Sequence, residues 1–128
     1  MSSALNQLIF IAAGGAIGSV LRFLLSNGVH GIVSRDFPYG TLVVNVLGSF
    51  IMGLSYILLI ERFSVSAEWR AFIVIGLLGA FTTFSTFSIE TLVLVQNSEL
   101  TKAALNVFTS VLLCLIGCWI GIILGRQL

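Results

Sequence analysis

Charge is what this chain has least of. Its 128 residues include six Lys+Arg and five Asp+Glu, or 9%, against about 25% in an ordinary soluble domain. Hydrophobic residues make up 58% and the mean hydropathy is +1.13, so too few polar groups remain to clothe a water-facing surface. A soluble domain and a disordered chain are both excluded. The net charge of +1 sets up no field that would draw in nucleic acid. Proline occurs once, as Pro38, in a loop just ahead of the second apolar stretch. The two cysteines, Cys114 and Cys118, share one helix face, and the single histidine, His30, falls in a loop. That set is too small for a metal centre, and the cysteines read as small packing residues. No nucleophile–base pair, P-loop or dinucleotide motif is present, so nothing points to an enzyme.

What is present is apolar length. Continuous apolar stretches run over about 4–29, 40–60, 71–95 and 103–125. Each is long enough to cross a hydrocarbon core of about 30 Å. Strands of a membrane barrel alternate in segments of about 10 residues, and these stretches do not alternate. The expectation is a single all-α transmembrane domain, 1–128, of four helices with short loops. The N-terminus has no basic cluster, which predicts that the first span is retained rather than cleaved. Ser98 and Thr101 are expected at helix boundaries.

Basic residues set orientation. Arg62, Arg70 and Arg126 fall on the side of the termini, and Arg22, Arg35 and Lys102 on the other. This three-to-three tie has two readings. Either one residue or the N-terminal amine breaks it, or the chain inserts both ways up and pairs as an antiparallel dimer. Four thin helices enclose little interior for a polar path, which favours an oligomer.

The spans break the apolar rule at a few places. Gly14 and Gly18, and Gly117, Gly121 and Gly125, recur at four-residue steps and mark faces for close helix packing. Thr41, Asn45 and Ser49 share one face of the second span. An unpaired amide in hydrocarbon is costly, so Asn45 faces another helix, water or a ligand. The third span is the most unusual. Between Phe81 and Glu90 it carries three phenylalanines, five hydroxyl residues and a carboxylate. β-Branched Thr82, Thr83 and Thr86, with Gly76 and Gly79 just before them, predict a helix broken near the bilayer midplane. Such a break is tolerated only where protein covers it or where it lines a cavity. Phe84 and Phe87, three apart, either pack in the core or turn their positive ring edges toward an anion. The neighbouring hydroxyls either complete such a site or bond back to the preceding helical turn. Arg22 and Glu90 are the ionisable residues within spans, and each is a functional candidate. They either pair with each other or lie along a vestibule or path.

These residues resemble a known family. Gly14-Gly15-Ala-Ile-Gly18 through Arg22, then Gly40-Thr41 through Asn45, Gly48 and Ser49, then Thr82-Thr83-Phe84-Ser85-Thr86-Phe87 ahead of Glu90, are similar to the Fluc/CrcB fluoride channels over nearly the whole chain. The resemblance implies an antiparallel, dual-topology homodimer in a bacterial inner membrane, exporting fluoride passively through two pores. It implies Phe84 and Phe87 as pore phenylalanines, Asn45 as the amide donor, Thr86 and Ser88 as hydroxyls on the path, and Thr41 and Glu90 along or near it, while Arg22 matches the family arginine at the end of the first span, with no role assigned. It implies a structural sodium ion on the dimer axis, held by the backbone carbonyls of Gly79 and Thr82. The fourth span matches loosely. Ser110 is its candidate for the pore wall, and Phe108 stands where some members carry tyrosine.

Two other functions fit four apolar spans. A small dual-topology, proton-coupled transporter needs a carboxylate deep in the first span, and this chain has none there. A non-conducting subunit of a larger membrane complex would use the polar third span to bind a partner.

Overall fold

The computed structural model describes residues 2–128. The described residues form helices only, and four stretches are long and apolar enough to cross a membrane: Ser3–His30, Tyr39–Arg62, Ala67–Gln96 and Leu100–Gln127. The elements are α1 (Ser3–His30), α2 (Tyr39–Arg62), α3 (67–81), α4 (Phe84–Gln96) and α5 (Leu100–Gln127), with α3 and α4 together making the third span. Each span exceeds its sequence-based limits by one to four residues. The third begins four residues early because Ser66 caps it, accepting from the Trp69 N–H at 3.5 Å. Glu68 and Arg70 lie in that first turn.

Local chemistry explains the ends. The Ser2 hydroxyl caps α1 by accepting from the Leu5 N–H. The Gly40 N–H at the start of α2 donates to His30 Nε2 at 3.1 Å, which staples α1 to α2. That bond leaves the imidazole proton on Nδ1, which faces the Ser34 carbonyl at 3.3 Å. The fourth boundary differs from expectation. Glu99 is the residue before α5, Ser98 takes a left-handed φ of 60° to turn the chain, and Thr101 lies inside the helix. Two stretches, Tyr56–Arg62 and Ala71–Leu78, widen to π-helical winding, as in the Phe63 N–H bond to the Leu58 carbonyl.

Glycine decides which helices meet. Lipid tails are as apolar as leucine, so helices associate through close packing rather than through loss of water contact. A methyl group on Gly14 or Gly18 would strike the backbone of Phe72 or Leu77, so α1 lies flush on α3. A methyl group on Gly121 would strike the Phe50 carbonyl, so α5 lies flush on α2. Both glycine faces are the packing surfaces their spacing indicated. Val44 and Leu78 are fully buried between helices, while most large apolar side chains face outward. Phe10, Trp69 and Phe72 stack edge to face where α1 meets α3.

Candidate functional site

Thr82 and Thr83 have extended backbone, with φ, ψ of −86°, 157° and −152°, 124°. The surrounding hydrogen bonds hold them there. The Leu78 carbonyl accepts from both the N–H and the hydroxyl of Thr82, which closes α3. In a continuous helix the Thr83 N–H would reach the Gly79 carbonyl. Here it donates to Asn45 Oδ1 at 2.8 Å. Asn45 Nδ2 donates in turn to the Thr83 carbonyl at 2.9 Å. One amide from α2 thus takes the place of both helical partners of Thr83. The Thr86 N–H, which would reach the Thr82 carbonyl, is capped by the Thr83 hydroxyl at 3.2 Å. The carbonyls of Gly79 and Thr82 are therefore released from their usual helical donors.

Three cavities surround this segment. A groove of about 420 Å³ runs between α2, α4 and α5 and is lined by Asn45, Ser49, Phe84, Phe87, Ser110 and Cys114 among others. A second cavity of about 350 Å³ is lined by Ser19, Arg22, Ser26, Thr41, Thr83 and Thr86 among others. A third, of about 470 Å³, reaches the first loop and holds His30, Arg35, Asp36, Glu90 and Glu99. Thr83 is a wall of both the first and the second. Thr41, in the second, donates its hydroxyl to Glu90 Oε1, in the third. Thr83 thus links the groove to the second cavity, and the Thr41–Glu90 bond links the second cavity to the third.

The donors along that line differ in what they have free. Asn45 commits one of its two amide hydrogens to Thr83. The Thr86 hydroxyl accepts from Thr83 at 3.1 Å, which leaves its own proton to donate. The Ser88 proton goes to the Phe84 carbonyl at 2.9 Å, and Ser88 lines none of the three cavities. Ser88 therefore bonds back to its own helix in this structure. Phe84 and Phe87 lie with ring centroids 5.4 Å apart at 48°. Phe84 is 78% exposed on the groove, and Phe87 is half-buried beside it.

Arg22 and Glu90 do not pair. Among the described residues the ion pair is Lys102–Glu99 at 3.4 Å, next to the loop. Arg22 instead faces the second cavity, its Nε buried with no hydrogen-bond partner. In the fourth span Ser110 lines the groove, as its reading placed it. Phe108 is 73% exposed. The polar contact of α5 comes from Asn106, which is 2% exposed. Ser110 donates to Asn106 Oδ1 at 3.3 Å, Asn106 Nδ2 to the Thr91 hydroxyl at 2.9 Å, and Thr91 to the Phe87 carbonyl at 2.7 Å. This relay ties α5 to the backbone that carries the Phe87 ring. The four-residue step from Asn106 to Ser110 is the signal that would have found it.

A family model described as CrcB-like protein, Camphor Resistance (CrcB), matches residues 9–122. A protein of Hydrogenovibrio crunogenus, named fluoride-specific ion channel FluC, is 54% identical over 121 residues, or 94% of this chain and 92% of that one. One of Magnetococcus marinus with the same name is 50% identical, over 94% of this chain and 98% of that one. One of Methylococcus capsulatus, also so named, is 54% identical over 95% of this chain, which spans only 54% of that longer protein. With a family model over most of its length and half of its residues shared with these relatives, the chain belongs to the CrcB family.

Proposed function

We propose that the chain is a fluoride channel of a bacterial plasma membrane, built as an antiparallel dimer of two inverted copies and exporting fluoride down its gradient. The reading is carried by one observation: a ring pair and uncharged donors line a groove that shares the Thr83 wall with the cavity of Arg22. The shared name of the relatives supports the same ion.

The chemistry follows from the residues. Fluoride is small and strongly hydrated, so a path must replace its water without trapping it. Arg22, unpaired in the second cavity, raises the local anion concentration at the mouth. The free proton of the Thr86 hydroxyl and the spare amide hydrogen of Asn45 then substitute for water. The edges of Phe84 and Phe87 carry the positive part of the ring quadrupole and pass the ion without a formal charge. On the Arg22 side, Thr41 orients the Glu90 carboxylate. Ser110 acts on the wall through its relay to Phe87. The break in the third span sits near the midplane, where a second copy covers it. The freed carbonyls of Gly79 and Thr82 suit a sodium ion on the dimer axis. That ion would neutralise the carbonyl ends and pin the break.

The test is fluoride release from liposomes loaded with potassium fluoride and carrying the purified protein, read with a fluoride electrode. Rapid release from the wild type, with chloride retained, is the expected result. No release above empty liposomes would refute the reading.

A further inference from the structure

Three sulfur atoms of the chain border one groove. Cys114 and Cys118 of α5 and Met52 of α2 all line the 420 Å³ groove that also holds Phe84, Phe87 and Ser110. Both cysteines are free thiols and only half-buried, so neither is sealed into a helix interface. The close packing between them belongs to Gly117, whose missing side chain leaves room for Val46 of α2. One step further along, a methyl group on Gly53 would strike the Cys118 carbonyl. The two backbones lie close together there, and Met52 lines the groove from the neighbouring position. Ser49 of α2 lies beside the Cys114 thiol.

We propose that these sulfurs form a binding site for a soft, low-coordinate metal ion of the mercuric, silver or cuprous class, held between Cys114 and Cys118 with the Met52 thioether as third ligand. Among the described residues, no group of three His, Cys, Asp or Glu side chains could hold an ion. With two thiols, a zinc site is therefore two ligands short of its usual four. A soft ion accepts thiolate and thioether sulfur and needs no oxygen. Residues four apart on a helix hold their Cβ atoms about 5–6 Å apart. Two metal–sulfur bonds of roughly 2.3 Å each, as in zinc thiolates, span about 4.6 Å in line. Both thiols thus reach one ion without moving a helix. Binding a divalent ion breaks two S–H bonds, forms two S–metal bonds and releases two protons. No oxidant or reductant is required.

The site stands in the wall of the proposed conduction path, so its functional consequence rests on the fluoride reading: an ion lodged there obstructs fluoride. The site itself is tested without fluoride. Detergent-solubilised protein is titrated with mercuric ion while proton release and thiolate-to-metal ultraviolet absorption are followed. One ion and two protons per chain are expected, with no uptake by C114A/C118A or C114S/C118S. M52L should bind at least threefold more weakly against competing glutathione. Size-exclusion profiles identify which of the paired variants folds. No uptake by the wild type, uptake that survives loss of both cysteines, or two ions per chain with one proton each would overturn the site. In liposomes, one equivalent of mercuric ion should stop wild-type fluoride release, a dithiol chelator should restore it, and C114A/C118A should be insensitive. Uptake without any effect on release would overturn the placement in the path. Absence of release before mercury is added would count against the fluoride reading alone, with the titration still deciding the site.

Discussion

Asn45 holds the geometry of the site through one side chain. Its carbonyl and amide take up both backbone groups of Thr83. An apolar replacement strands a backbone N–H and a carbonyl, and each buried polar group left without a partner costs about 1–3 kcal/mol. Asn45→Ala is expected to lower the melting temperature in detergent and to cut fluoride release at least tenfold. Asn45→Asp keeps the acceptor for the Thr83 N–H but sets an oxygen against the Thr83 carbonyl, so it should fare no better. The rings make a different claim. Phe84→Ile and Phe87→Ile preserve apolar volume but remove the positive ring edge. Each is expected to reduce fluoride release at least tenfold with little change in thermal stability. Unchanged release in both would remove the rings from the path.

At the scale of the helix, the glycine faces set where α1 meets α3 and where α2 meets α5. Gly121→Leu would drive a branched side chain into the Phe50 carbonyl. A loss of the monodisperse peak on size exclusion is expected. Gly28→Ala, at a position with open space on every side, should behave as wild type. These interfaces were legible in the sequence because small residues four apart have one obvious use in lipid. The four spans were legible too, because nine of the eleven charges fall between or after them. The ends were less so. Glu68, Arg70 and Lys102 read as loop, yet a helix turn at the membrane surface accommodates charged side chains readily. Asn106 escaped notice because one amide in a long apolar run looks isolated until its partner Thr91, on another span, is brought beside it. The place of Ser88 in the motif puts its hydroxyl on the path. Its bond to the Phe84 carbonyl is a preference of helix interiors that a motif does not display.

The whole molecule presents a largely apolar groove dotted with hydroxyl and amide groups, with Thr82 and Thr83 in its wall. Hydrocarbon cannot satisfy exposed backbone groups, which is why the proposed second copy covers that face. The balance of three basic residues on each side makes the orientation easy to tip. With Cys114 and Cys118 replaced by alanine and a cysteine added at the C-terminus, membrane-impermeant labelling is expected from both sides of the membrane. Two added arginines at the C-terminus should fix one orientation and abolish release. Coexpression with a copy carrying added arginines in the first loop should restore it. The central claim is that uncharged donors and ring edges pass one small halide and refuse the larger one. The most direct measurement is the reversal potential of the purified protein in a planar bilayer, under a tenfold fluoride gradient with chloride equal on both sides. The account predicts reversal at the fluoride equilibrium potential, about 59 mV. Reversal displaced well toward zero, which signals chloride carrying current beside fluoride, would contradict it.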